Sequence, residues 1–399
     1  MAPSWQRLGL RNLPSMSARR RPAVLAPPVA VHLAEAQAAL AQPFVGITVD
    51  GRPARPGFEP PAVQTGSIVD AAQRFLAILR PDQQETLRFE LDAVERRAWS
   101  NVHPCLLRHG LLLESLTGLQ REAALDVLRA ALSTRAFAQA RDIMRLNGML
   151  VQITGRAEDF GEWPYFVSLY GYPSRVEPWA WQIDGHHLNV NLFVHGSRLA
   201  VFPSFMGSEP CDVDGIHLFV DEERAGLELV QALRPSQRRR AVLRDSIRRD
   251  DLPEEFRHPI NGRMVAGPFR DNAVIPYAGI AGAELTTAQR GLMRRLLGTY
   301  AGWSRSDCAR GILAEVDTQL NETFFSWMGG TTEGDGYYYR LHGPAILIEY
   351  DQHAGTVFDN VNPARHHTHT IVRSPNGGDY GADLLARHYR QFEHRPSAV

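Results

Sequence analysis

The chain has 399 residues, 44% of them hydrophobic, enough for one large core or two ordinary ones, which excludes general disorder. Its 43 basic and 44 acidic residues leave a formal net charge of -1, so no long-range field draws it to nucleic acid or to an anionic membrane surface. Every basic residue is arginine. Without lysine there is no Schiff base, no lysine-linked pyridoxal phosphate (PLP) and no phosphate-loop lysine, because a guanidinium stays protonated.

Residues 1–66 are rich in Pro, Ala and Arg, and their apolar run is interrupted by Pro27, Pro28, His32, Glu35 and Gln37. They are expected to be a flexible or loosely packed extension and not a signal peptide. Arg19, Arg20 and Arg21 leave export by a degraded twin-arginine signal as the alternative to a cytoplasmic location. Cys105, Cys211 and Cys308 are too far apart for a metal motif and fit free thiols in a reducing compartment. No stretch approaches the roughly 18 apolar residues of a membrane helix, so no membrane partner is expected.

Residues 67–399 are expected to form one large α+β domain, with helical blocks packed on mainly antiparallel β-structure. Helical spacing runs from Ser67 to about Ile153, with Ile68, Ala71, Ala72, Phe75, Leu76 and Leu79 on one face. Short aromatic and β-branched runs follow over 163–220, as strands at Tyr165 to Tyr170, His187 to Val194 and Leu199 to Phe202. A second helical block is expected from Ser236 to about Tyr300, a second strand block from about Ile312 to Val372, and a closing helix from Gly381 to Phe392. The order suggests a degenerate internal duplication with halves 67–232 and 233–392. LRPDQ at 79–83 matches LRPSQ at 233–237, and LTGLQR at 116–121 matches LTTAQR at 285–290. Convergent helix capping is the alternative, since proline suits the first helical position and Thr with Gln three residues on is a capping box. YFVSLYGYP at 165–173 pairs with YYRLHGP at 338–344, and His186-His187 with His366-His367.

Of 15 histidines, seven lie after residue 340. If His187 to Val194 is a strand, alternation sets His187, Asn189 and Asn191 on one face and His186 on the other. In the HTH at 367–369, His367 and His369 project to one side of a strand. With His187 they make three imidazoles, a set that suits one divalent transition-metal ion: zinc, iron or copper. Glu349 follows Ile346, Leu347 and Ile348 and shares a face with Asp351. A carboxylate there is a ligand, a general base, or the salt-bridge partner of Arg340 or Arg373. Trp179 and Trp181 are candidates to wall a substrate pocket with His186, Asn189 and Asn191. Neither HExxH nor GxSxG occurs, nor any Gly-rich nucleotide loop, so no nucleotide cofactor is expected.

The segments PWAWQIDGHHLNVN (178–191), PSFMGSEP (203–210), RLHGP (340–344) with IEYD (348–351), HTH (367–369) and DYGADLL (379–385) with His388-Tyr389 occur in one order. In these motifs the chain resembles the family called domain of unknown function 3500, over roughly residues 67 to 392. The resemblance implies an outline and no reaction. The residues themselves point to a metal-dependent enzyme that activates water for hydrolysis or lyase chemistry on a small polar, carboxylate-bearing substrate, which Arg340 or Arg373 would hold by a bidentate contact. A mononuclear iron or copper oxidoreductase and a non-catalytic metal- or ligand-binding protein are the alternatives. No nucleic-acid partner is expected, and the sequence leaves the oligomeric state open.

Overall fold

The computed structural model describes residues 5–12, 17–19, 25–54, 60–102 and 106–391. The expectations for Arg20, Arg21 and Cys105 lie outside these residues.

Two runs of elements follow one another in the same order, apart from a short strand at Arg198–Ala200 that the second run lacks. The first is α2 (Gly66–Ala77), α3 (Pro81–Leu87), β1 (Arg88–Phe89), β2 (Leu111–Leu112), α4 (Gly118–Ala131), α5 (Thr134–Thr154), β3 (Tyr165–Tyr170), β4 (Trp179–Gly185), β5 (Leu188–His195), β6 (Arg198–Ala200) and β7 (Ser204–Ser208). A small hairpin, β8 (Asp212–Val213) and β9 (Ile216–His217), separates it from the second. That run is α6 (Val220–Ala232), α7 (Pro235–Ala241), β10 (Val242–Arg244), β11 (Ile280–Ala281), α8 (Thr287–Ala301), α9 (Ser306–Thr318), β12 (Phe324–Gly329), β13 (Tyr337–His342), β14 (Leu347–Gln352) and β15 (Thr368–Arg373). Helix α10 (Ala382–Gln391) closes the described chain, and α1 (Pro27–Leu40) precedes the first run.

All but β8 and β9 belong to one mostly antiparallel sheet whose spine reads β1-β3-β4-β5-β7-β15-β14-β13-β12-β10. Read outward from the antiparallel β7–β15 pair, both halves have the same strand order, and each ends in one short parallel strand. That is an approximate two-fold through β7 and β15, and the fold is α+β. The matched helix starts do more than cap. Thr117 Oγ1 and Thr286 Oγ1 accept from the backbone N–H of Gln120 and Gln289, each at 3.3 Å. The amide of Gln120 then donates to Gln83 at 3.0 Å, and that of Gln237 to Gln289 at 3.0 Å, so both halves lock two helix starts together through the same buried pair.

The two faces of the sheet differ in chemistry. One packs Trp181, Val190, Trp327 and Tyr339 under the helices in the main hydrophobic core. The other carries buried polar side chains, among them Gln182, Asn189, Arg340, Glu349 and His369, and irregular segments cover it. Burying so many polar groups is tolerable because most find hydrogen-bond partners, supplied by neighbouring strands and by the covering loops.

Several expectations need correction. Within 1–66, α1 buries Val29, His32 and Ala36, so that region is not simply a flexible extension. Residues 220–232 are a helix and belong to the second half, because α6 packs on α8 as α2 packs on α4. Between 245 and 279 only short 3-10 turns form, since Pro253, Pro259, Gly262, Pro268 and Pro276 interrupt any longer helix. The second strand block begins at Phe324. Ile312 sits in α9, where Cys308, Ile312 and Val316 recur at helical spacing and are buried. The motifs YFVSLYGYP and YYRLHGP lie on β3 and β13, one strand out of step, since in sheet order β3 corresponds to β12 and β4 to β13. His186-His187 and His366-His367 are therefore not counterparts.

Candidate functional site

Strands β4 and β5 pair up to Gly185 opposite Leu188, which leaves His186 and His187 as a two-residue turn. His187 is not on strand β5. Its φ of 62° is left-handed, a conformation that histidine tolerates better than most residues. The turn is tied down by His187 N–H donating to Asn101 O at 3.1 Å and by Gly207 N–H donating to His187 O at 2.8 Å. Strand β15 supplies His367 from just before its start and His369 from within it, and His369 faces Gly207 on β7 and Asp351 on β14.

The fold brings His187, His367 and His369 together: one ring nitrogen of each lies within 4.8 Å of the other two. The exposures are 7%, 3% and 4%. His367 Nδ1 lies 2.8 Å from the carbonyl of Ala354, which can only accept, so Nδ1 carries a proton and Nε2 is the nitrogen directed at the cluster. That Nε2 is 3.1 Å from His369 Nε2. Two nitrogens bound tetrahedrally to one ion at 2.0–2.1 Å would lie about 3.3 Å apart, so this pair already has a shared-ligand separation. Burial, and after it neighbouring imidazoles, holds His187 and His369 well below the usual histidine range, which keeps them in the neutral form that ligation needs.

A second layer surrounds the three rings. The His353 ring is 4.1 Å from that of His369 and 5.0 Å from that of His367, and His353 N–H donates to His367 O at 2.7 Å. His353 Nε2 lies 2.9 Å from Asp351 Oδ2 without hydrogen-bond geometry, and Asp351 accepts from Arg263 Nε at 2.5 Å. Glu209 accepts from the backbone N–H groups of Thr356, Val357 and Phe358 and comes within 3.4 Å of His367 Nδ1. His353 and Glu209 are not among the residues expected from the sequence. His353 had a signal, since it extends the alternation of Glu349 and Asp351 by one step; Glu209 had none, because its partners lie nearly 150 residues away.

The remaining candidates go elsewhere. Trp179 and Trp181 lie on the helix face, with Phe75 5.6 Å from Trp181, so they are core and wall no pocket at the histidines. Asn189 and Asn191 lie in a buried ladder in which Gln182 donates to Asn191, Asn191 to Asn189 and Asn189 to Asp184. His186 stacks on His187 at 4.0 Å, and its Nδ1 is 2.8 Å from Asn147 Oδ1. Arg373 is fully buried and donates to Asp379, Asp271 and Ala266 O, which leaves it no free fork for a substrate. Glu349 has neither of the two partners considered for it. Its carboxylate accepts from Val265 N–H, Ala266 N–H and the Tyr338 hydroxyl, at 2.9, 2.8 and 2.6 Å. The backbone of a covering loop satisfies it, and neither Arg340 nor Arg373 forms an ion pair with it among the described residues.

These features define an α+β protein with a buried three-histidine cluster at the centre of a pseudo-symmetric sheet. The chain belongs to the family described as Protein of unknown function (DUF3500), whose model matches residues 61–382. No curated protein and no solved structure matches it. No helix among the described residues is long and apolar enough to cross a membrane.

Proposed function

We propose that the protein is a metal-dependent enzyme in which His187, His367 and His369 hold one divalent transition-metal ion, zinc, iron or copper, and act on a small polar substrate. The convergence of three ring nitrogens from segments about 180 residues apart carries this reading. When bound, such an ion supplies Lewis acidity and a water acidified toward neutral pH, the chemistry of hydrolases and lyases; iron or copper would extend it to redox chemistry. The chain's own part is positional. Ala354 O fixes the His367 tautomer, Gly207 and Asn101 hold the turn of His187, and the His353–Asp351–Arg263 series backs the cluster.

The near-complete burial of the three rings favours a second reading, an ion held without catalysis. Metal analysis of the purified protein, before and after reconstitution with each candidate ion, tests both. One ion per chain, lost in His369→Ala, is expected; equal metal content in wild type and variant refutes the site. Azide or cyanide binding to the cobalt-substituted protein separates enzyme from binder, since only an open coordination position admits the added ligand.

A further inference from the structure

We propose that Ser326, Arg340 and His342 form a separate binding site for a small monoanionic carboxylate. Ser326 on β12 faces Arg340 on β13, and His342 follows two residues on, opposite Phe324. Alternation sets all three on the loop-covered face, since the intervening Phe325, Tyr339 and Leu341 are in the helix-side core. Directly opposed side chains on neighbouring strands stand about 5 Å apart at Cβ, so the three form one patch.

Each of them has a buried polar atom with no hydrogen-bond partner: Ser326 Oγ, Arg340 Nε and His342 Nδ1. Their exposures are 1%, 5% and 1%. Arg340 makes one long hydrogen bond, from Nη2 to Pro276 O at 3.5 Å. Other buried arginines of this protein are saturated: Arg263 uses Asp351, Ile247 O and Gln352 O, and Arg373 uses two aspartates and a carbonyl. Glu349 sits opposite Arg340 across β13–β14, but its oxygens are taken by Val265, Ala266 and Tyr338. A buried guanidinium whose Nε finds no acceptor is costly, and an acceptor-only ligand at that nitrogen lowers the cost.

The donor set selects the ligand. Nε and Nη2 of a guanidinium present two parallel N–H groups, the fork that fits a planar carboxylate, and the serine hydroxyl adds a third donor. Burial, and after it the charge of Arg340, pushes His342 down to about 3, so its ring is neutral and offers one N–H without a second positive charge. Glu349 lies opposite Arg340 and already feels its charge, so a monoanion adds the smaller uncompensated load to the buried site and a dianion the larger. Tyr277, partly exposed and 4.7 Å from the His342 ring, supplies an aromatic wall for the body of the ligand. By strand geometry Arg340 and His369 are two strands and two residues apart, about 12 Å between Cα atoms, so a small carboxylate here does not touch the histidine cluster. The proposal therefore stands or falls without any metal.

The test is calorimetric titration and thermal melting of the full chain with acetate and with inorganic phosphate, each against chloride at matched ionic strength, on metal-stripped and metal-loaded protein. Saturable acetate binding that raises Tm equally in both forms, with little effect of phosphate, is expected. Arg340→Gln should abolish it, and Ser326→Ala should weaken it about tenfold, the loss of one hydrogen bond to a charged group. The absence of saturable acetate binding, or binding unchanged in both Arg340→Gln and Ser326→Ala, overturns the proposal. Tighter binding of phosphate overturns the choice of a monoanion. If Arg340→Gln does not fold, Ser326→Ala and His342→Gln decide the outcome on the same titration.

Discussion

Gly207 is the most direct lever on the histidine cluster. A Cβ at this position would lie 2.8 Å from His369 Cδ2, 2.9 Å from Thr368 O and 3.2 Å from Phe205 Cε1. Carbon contacts are comfortable near 3.5–4.0 Å, so the ring must move by several tenths of an ångström or more. The carbonyl of Thr368 cannot yield, because Gly207 and His369 are paired on neighbouring strands at the pseudo-two-fold. The displacement therefore falls on the imidazole, whose Nε2 is 3.1 Å from that of His367. Gly207→Ala should cost about 1–3 kcal/mol of stability as an overpacked core. It should also cost about 10- to 100-fold in metal affinity, the usual effect of disturbing a ligand's support. Urea unfolding and competition with a chromophoric chelator measure the two quantities. Gly298→Ala in α8 is the control: nothing lies within 4 Å of its Cβ, and alanine in a helix interior should add up to about 1 kcal/mol. Wild-type affinity together with wild-type stability in Gly207→Ala would refute the placement of His369.

Replacing His187 should remove metal in both His187→Ala and His187→Gly, yet the glycine variant should be about 1 kcal/mol the more stable, since only glycine occupies the left-handed turn without strain; the reverse order in urea melts would show that the turn is not left-handed. Glu349→Gln places an amide NH2 where backbone N–H groups now donate, so it should lose about 1–3 kcal/mol while metal content stays normal; normal stability with lost metal would return Glu349 to the site. Burial, reinforced by His258, lowers His32 from 6.5 to about 4. Between those values the unfolded chain binds a proton that the native chain does not, so stability falls as pH drops from about 6.5 to about 4, by about 3 kcal/mol in all. His32→Gln should flatten that stretch of the stability profile, and an unchanged slope would locate the proton uptake elsewhere.

What the sequence determined by itself was local. The capping pairs of Thr117 with Gln120 and Thr286 with Gln289 were legible because cap and partner are three residues apart, and alternation alone set His367 and His369 on one side of a strand. The missing lysine and the family outline were equally available without coordinates. Other features depended on contacts between distant segments. Whether His187 lies in a strand or in a turn depends on where β4 and β5 stop pairing, and that register is fixed by the apolar face packed under the helices. Two of the three partners of Glu349 come from a loop more than 80 residues away in sequence, and the polar face of the sheet is buried because such loops fold over it. Tertiary packing also decided that β3 answers to β12: equivalent strands share a place in the sheet, whereas YFVSLYGYP and YYRLHGP share only the aromatic and glycine content of a strand end. Hydrogen-bond demand is written into each residue, but the donor that meets it is chosen by the fold.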